Sequence, residues 1–326
     1  MQTGRLPKIA ILATGGTIAG VGTEGTSVGY QSGQLSVDDL LAAAPRVGEI
    51  AEIVAHQVCN VNSDDMTAPI WLELARMIER MAFDEGVDGF VVSHGTDTMD
   101  ETAYLLTLVL KTDKPVVLTG SMRPSTATSA DGPMNLYQAV AVAAHPDSRG
   151  KGVQVAFSGS IYNARSVQKT STHSLVSMSG GEAGCAGVVR DDHVFYFHTS
   201  TKLHTVYTEF RVGTLEDLPR VNVLYFNVDA DPALIEAAAK ISDGLVIAAA
   251  GGGEFSKRFA EVIAKVEIPV VVSSRVGSGG IMAKTLVCPN AIPANDLPPQ
   301  KAAVLLRLAL TKTHDQQMIA RMFEVY

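Results

Sequence analysis

The sequence predicts an α/β fold in two domains: a larger N-terminal, open, mostly parallel sheet with helices on both faces, then a smaller C-terminal α/β domain. Three observations predict it. A strand–loop–helix pattern recurs through roughly the first 145 residues, which is how a parallel sheet is written. The same pattern resumes, on a smaller scale, after residue 221. And a chain of 326 residues is too long for one ordinary domain and suits two. The boundaries expected are 1–205 for the first domain, 206–220 for a linker where the pattern weakens into Thr, Glu, Arg and Pro, and 221–326 for the second.

The first element is the apolar run Ile9–Ala13, short and β-compatible, read as a buried strand. Thr14-Gly15-Gly16-Thr17 stops it. Glycines there let the backbone turn and approach a ligand closely, and a hydroxyl is presented at the carboxyl end of a strand, where open parallel sheets bind ligands. Four such residues alone are better read as a plain turn; the rest of the chain changes that reading. Residues 14–36 form a long Gly/Thr/Ser-rich loop with Tyr30 as its one large side chain, a length that marks function or disorder. Ser36 starts a helix with Asp39 placed for a capping box.

Residues 50–61 read as the next strand and Asn60–Asp65 as its polar exit. Thr67 and Pro69 open a helix whose Ile70, Leu74, Met77, Ile78 and Met81 share a face. Val87–Ser93 is a strand that runs into His94-Gly95-Thr96-Asp97-Thr98. Thr98 and Glu101 form a second capping box, opening a helix to about Lys111. Pro115–Thr119 is a strand, Gly120–Ser129 a polar loop, and Asp131-Gly132-Pro133 opens a helix to about His145. Residues 153–162 and 193–198 read as strands, with the loop Asn163–Gly187, which holds Lys169, between them. In the second domain the pattern gives strands at 222–226, 244–249 and 268–273, helices at 232–241 and 255–265, and two terminal helices at about 298–311 and 314–323.

Composition narrows the function classes. Apolar residues make up 46% and charged residues 18%, a globular balance with enough apolar material for a large core. The net charge is −8, and no block of Lys or Arg stands out, so no electrostatic case exists for nucleic acid or an anionic membrane. Cys59, Cys185 and Cys288 are far apart without Cys-x-x-Cys spacing, which argues against disulfides and zinc. No run of about 18 apolar residues suggests a membrane span, and the apolar stretch after Arg5 and Lys8 is too short for a secretory leader. A cytoplasmic protein is expected; a leader removed ahead of this numbering would make it periplasmic.

Most motifs fail on context. Gly20-Val21-Gly22-Thr23-Glu24-Gly25 matches a dinucleotide fingerprint, but the strand has already ended at Ala13 and no helix begins until Ser36. No Walker loop or His-Glu-x-x-His occurs. His193 and His198 are placed for opposite faces of a strand, and His94, standing alone, reads as a hydrogen-bonded structural histidine rather than a ligand. Ser158-Gly159-Ser160 reads as a strand connection, not a nucleophile elbow. What remains is hydroxyl chemistry with an amine: Thr17 and Thr96 each follow a strand, Asp97 adjoins Thr96, and Lys169 comes from a later loop. Threonine needs a base to become a nucleophile. A lysine serves when its environment favours the neutral amine, whereas an adjacent aspartate favours the ammonium. Spacing leaves that balance open.

These residues resemble the bacterial L-asparaginases, including the glutaminase-asparaginases, over nearly the whole chain. The matching motifs are Thr14-Gly15-Gly16-Thr17-Ile18-Ala19-Gly20, Ser93 through Thr102, Thr119-Gly120-Ser121-Met122-Arg123-Pro124, Ser129-Ala130-Asp131-Gly132-Pro133 with Asn135, and Ser273-Ser274-Arg275. The resemblance implies hydrolysis of the asparagine side-chain amide without metal or organic cofactor, in a homotetramer of close dimers whose small domains serve a neighbour's site. It makes Thr17 the nucleophile, Tyr30 the tyrosine of a mobile lid (about 20–34), Thr96, Asp97 and Lys169 a second hydroxyl cluster, and Ser63 and Asp97 holders of the substrate's α-groups. Asp64 stands where the family usually has a longer Gln or Glu, Glu254 where it often has Asn or Ser, and Gly280–Asn295 is abbreviated, without the acidic residue expected to face the lid tyrosine. The alternative in another class is a non-catalytic amino-acid-binding protein on the same scaffold.

Overall fold

Ile9, Ala10, Ile11 and Leu12 are wholly buried, and the strand they form, β1 (Lys8–Gly15), has a parallel neighbour on each side. The computed structural model describes residues 5–84, 86–288 and 290–326. It divides into two units, Met1–Gly213 and Thr214–Tyr326.

In the first unit β1 is followed by α1 (Val37–Ala43), α2 (Val47–Ile50), β2 (Glu52–Val61), α3 (Ala68–Asp84), β3 (Gly89–Ser93), α4 (Met99–Val109), β4 (Val116–Thr119) and α5 (Gly132–Ala144). Then come β5 (Val153–Phe157), β6 (Ser160–Asn163), β7 (Gln168–Lys169), β8 (Met178–Ser179), β9 (Gly187–Arg190) and β10 (His193–Tyr196). Among the described residues, eight strands form one sheet in the order β10-β9-β6-β5-β4-β3-β1-β2. The five from β2 to β5 are parallel, and the remaining three pair antiparallel.

Alternation along β1 divides the core. Ile9, Ile11 and Ala13 pack with Val91, Val117 and the α5 residues Leu136, Val140 and Ala143. Ala10 and Leu12 point to the other face. Each fully buried Ile or Leu here contributes about 1.5–3 kcal/mol. Ser36 caps α1 in the expected box: its hydroxyl accepts from the Asp39 N–H, and the Asp39 carboxylate accepts from the Ser36 N–H.

Three expectations are corrected and one, the linker, is refined. Residues 153–162 are a hairpin, not one strand: Ser158 and Gly159 have φ of 48° and 79°, the pairing that a tight antiparallel turn requires, and β5 and β6 run antiparallel across it. Lys169 lies on the short ribbon β7–β8, opposite Met178, rather than in an open loop. The expected linker 206–220 holds the boundary between the two units, after Gly213, but it carries four buried anchors, Phe210, Val212, Leu215 and Leu218, that its polar sequence hid. And Thr98 does not cap α4 with its side chain.

The second unit carries β11 (Val221–Tyr225), α6 (Ala233–Ala239), β12 (Gly244–Ala249), α7 (Lys257–Ile263), β13 (Val270–Ser274), β14 (Ile292–Pro293), α8 (Pro299–Leu310) and α9 (Gln316–Val325). Its sheet is parallel, in the order β11-β12-β13-β14. Phe226, Phe255 and Phe259 stack at tilted and edge-on angles in its core, the geometry favoured by aromatic quadrupoles. The sequence pattern gave no sign of β14, which is two residues long. No helix among the described residues is long and apolar enough to cross a membrane.

Candidate active site

The strand order 2-1-3-4-5 reverses direction between β1 and β3, and ligands in open α/β sheets bind beyond the carboxyl ends of the strands at such a point. Bonds tie the exits of β1, β2 and β3 together. Thr14 Oγ1 donates to the Ser93 carbonyl at 2.9 Å, and the Gly16 N–H donates to Val61 O at 3.0 Å. Gly16, at φ 81°, lies directly against Gly95: a Cβ on Gly16 would overlap the Gly95 backbone, and one on Gly95 would sit 3.2 Å from Gly16 Cα. Thr17 and Thr96 each follow one of these glycines, so the contact sets the two threonines side by side.

Each threonine has its own polar partner. Thr17 Oγ1 and the Tyr30 hydroxyl are 2.8 Å apart. Lys169 Nζ donates to Thr96 Oγ1 at 2.8 Å and to Asp97 Oδ1 at 2.7 Å. The Lys169 side chain is 16% exposed and that of Asp97 68%, so the ion pair opens to solvent on the aspartate side. Thr17 and Thr96 are buried. Neither threonine's backbone N–H meets an acceptor among the described residues. Buried donors of this kind are rare in native proteins and mark places where a ligand or water is expected.

Residues 20–34 fold over this region as a pinned loop. Val21 and Gln31 exchange two backbone hydrogen bonds of 2.9 Å, and Gly25 N donates to Thr126 O at 2.9 Å. Ser125 Oγ donates to Gly20 O at 2.8 Å. Tyr30 lies across Gly20 and Gly22, where a Cβ would stand 2.9 Å and 2.8 Å from its ring and Cβ. Two of the apparent dinucleotide glycines, Gly20 and Gly22, therefore serve to admit the tyrosine, and no α-helix starts on them.

Ser63 is buried on the turn after β2, and its Oγ accepts from the Asp97 N–H at 3.2 Å. Asp64, next on that turn, is exposed. Glu254, in the second unit, is exposed on the turn after β12, its carboxylate folded over Gly251 and Gly252. Thr98, expected as a cap, instead donates its hydroxyl to the Ser63 carbonyl at 2.6 Å.

His94 is fully used, as expected for a structural histidine. Gly95 O can only accept, so His94 Nδ1 carries the hydrogen in that 2.7 Å bond. Nε2 then accepts from Thr102 Oγ1 at 2.9 Å, and Trp71 Nε1 donates to the same hydroxyl at 2.8 Å. Burial lowers the His94 pKa to about 4, against the opposing pull of the Gly95 carbonyl and of Asp100. The chain of bonds from Trp71 ends on the carbonyl of the peptide whose N–H belongs to Thr96. Sequence reading missed this relay: Thr102 ends the Ser93–Thr102 motif without an assigned role, and Trp71 lies in no motif.

Other matched motifs are scaffolding. Asp131 accepts from the N–H groups of Met122 and Arg123, both at 2.9 Å, and from Asn135 Nδ2 at 3.1 Å. Asn135 also donates to Gly120 O and accepts from Ser158 N–H. They fix the loop on which the lid residues rest. Among the described residues, no group of three or more His, Cys, Asp or Glu is arranged to hold a metal ion.

The chain is similar to known proteins over nearly its whole length. The family model described as asparaginase, N-terminal, matches residues 8–202, and that described as glutaminase/asparaginase C-terminal domain matches 220–323. L-asparaginase 2 of Bacillus subtilis is 43% identical, over 98% of this chain and 87% of the relative. L-asparaginase 2 of Escherichia coli is 41% identical, over 98% and 94%. The crystal structure of a probable cytoplasmic L-asparaginase from Campylobacter jejuni superimposes with a TM-score of 0.94 at 42% identity, covering 98% of this chain and 100% of that one.

Proposed function

The chain belongs to the asparaginase family, and from that premise we propose that it hydrolyses the side-chain amide of L-asparagine to L-aspartate and ammonia through an acyl-enzyme on Thr17. The observation that carries this reading is the pair of hydroxyl contacts, Thr17 with Tyr30 and Thr96 with Lys169, held beside each other by the Gly16–Gly95 contact.

In this reading Thr17 Oγ attacks the amide carbon. Its proton passes through the Tyr30 hydroxyl to the departing nitrogen as the C–N bond breaks, and ammonia leaves. Water then attacks the ester beside Thr96, which the Lys169 ammonium orients; the water proton passes to Thr17 Oγ as the ester C–O bond breaks, releasing aspartate and the free hydroxyl. The unpaired N–H groups of Thr17 and Thr96 are the donors for the oxyanion; one preplaced donor of this kind is worth about 3 kcal/mol. Ser63 and Asp97 hold the α-carboxylate and α-amino group, with Asp64 at the edge of that subsite. L-glutamine is a second, slower substrate, and the working assembly is a homotetramer, which light scattering of the purified protein checks.

The test is ammonia release from L-asparagine by the wild type, Thr17→Ala and Lys169→Met. An inactive wild type, or full activity in a folded Thr17→Ala, rejects the proposal. No observation favours the non-catalytic alternative.

A further inference from the structure

Thr98 sits in the pattern Thr-x-x-Glu, which would normally cap the helix it opens. Here its side chain makes no cap bond, and the first turn of α4 is left with Asp100 and Glu101 to meet its positive end. The hydroxyl reaches away from the helix to the Ser63 carbonyl at 2.6 Å. In the opposite sense, the Asp97 N–H donates to Ser63 Oγ at 3.2 Å. Ser63 is thus gripped at its backbone and its side chain by two consecutive residues.

The grip spans a strand. β2 and β3 are not neighbours in the sheet; β1 runs between them. Ser63 therefore owes its place relative to Asp97 to bonds that bridge the exit of β1 rather than to strand pairing. Ser63 Oγ, already accepting from Asp97, keeps its own hydrogen, which meets no acceptor among the described residues. That hydrogen is free for an incoming carboxylate.

We propose that Thr98 is a positioning residue for substrate binding: its bond to the Ser63 carbonyl holds Ser63 and Asp97 at the separation that fits the α-carboxylate and α-amino group of the amino-acid substrate. The inference rests on the asparaginase reading above, and it assigns Thr98 no part in bond making or breaking.

The experiment is steady-state kinetics on L-asparagine, with calorimetric titration of L-aspartate, for the full-length wild type, Thr98→Val and Thr98→Ser. Thr98→Val keeps the shape and removes the donor. It is expected to raise both KM and the aspartate Kd by about three- to tenfold, the scale of one lost hydrogen bond, with kcat within about twofold. Thr98→Ser restores the donor and brings both constants back to within about twofold of wild type. A Thr98→Val protein that melts earlier but binds normally overturns the proposal, because Thr98 is then only structural. So does a loss confined to kcat, or a Thr98→Ser variant as weak as Thr98→Val. If Thr98→Val does not fold, Thr98→Ala is read by the same criteria. A wild type without asparaginase activity removes the parent reading, whereas an active wild type with unchanged binding in Thr98→Val removes this inference alone.

Discussion

Gly16 and Gly95 touch backbone to backbone: a Cβ on Gly95 would stand 3.2 Å from Gly16 Cα and 2.8 Å from Ser63 Oγ, and one on Gly16 would overlap the Gly95 chain. Two loops from different strands approach this closely only where both residues lack a side chain. Gly16 has a second reason to be glycine, its φ of 81°.

Gly16→Ala therefore meets both steric overlap and an unfavourable backbone region. The expected cost is about 2–4 kcal/mol of stability, read as a lower urea midpoint. Moving Thr17 away from Thr96 by an ångström or so is expected to lower kcat by about a hundredfold in the folded fraction. A soluble Gly16→Ala with wild-type kcat would show that the contact does not set the catalytic geometry.

Sequence reading reached the parallel sheet because each buried strand is an apolar run and each helix carries an amphipathic face or a cap. It reached Thr17, Thr96 and Ser63 because each follows a predicted strand. It missed what depends on partners far along the chain. The same hydroxyl of Thr98 suits a helix cap or a carbonyl 35 residues away, and local pattern favours the nearer use. The sequence assigns Trp71 no role and Thr102 only a place at the end of the Ser93–Thr102 motif, and packing of α3 on α4 joins them to His94. The packed stretch 206–220 was hidden because four apolar residues spaced among polar ones have no period.

Tyr30→Phe tests the proton route. It removes the 2.8 Å contact with Thr17 Oγ1 and keeps the ring that lies on Gly20 and Gly22. The expected result is a fall in kcat of about 10²- to 10⁴-fold, the range for losing a general acid–base group, with aspartate affinity within a few-fold of wild type. A kcat within fivefold of wild type would assign the proton transfer to another group.

Asp131 separates scaffold from chemistry. Its carboxylate accepts from Met122, Arg123 and Asn135, and hydrogen bonds to a charged group are worth about 1.5–3 kcal/mol. Asp131→Ala is expected to lower stability by about 2–3 kcal/mol in urea unfolding while activity per folded molecule changes less than about threefold. A large loss of kcat with unchanged stability would move Asp131 from scaffold to active site.

His94 links the site to pH. Burial depresses its pKa from 6.5 to about 4, so between these values the unfolded chain binds a proton that the native protein refuses. Stability from this group is complete above about pH 6.5 and is lost as pH falls towards 4, by roughly 3 kcal/mol in all and about 2 kcal/mol by pH 5. His204, also depressed by partial burial, acts in the same direction, and Glu79, raised by burial, in the opposite one, so the wild-type slope alone does not isolate His94. His94→Asn does. Its side-chain amide places a donor where Nδ1 stands, keeping the bond to Gly95 O, and cannot titrate. Urea unfolding at pH 7 and pH 5 is expected to show the wild type losing about 2 kcal/mol more than His94→Asn over that interval. Equal losses in the two proteins would mean that His94 is protonated, or reached by solvent, in the native state, and the fixed tautomer that orients the Gly95–Thr96 peptide would have to be given up.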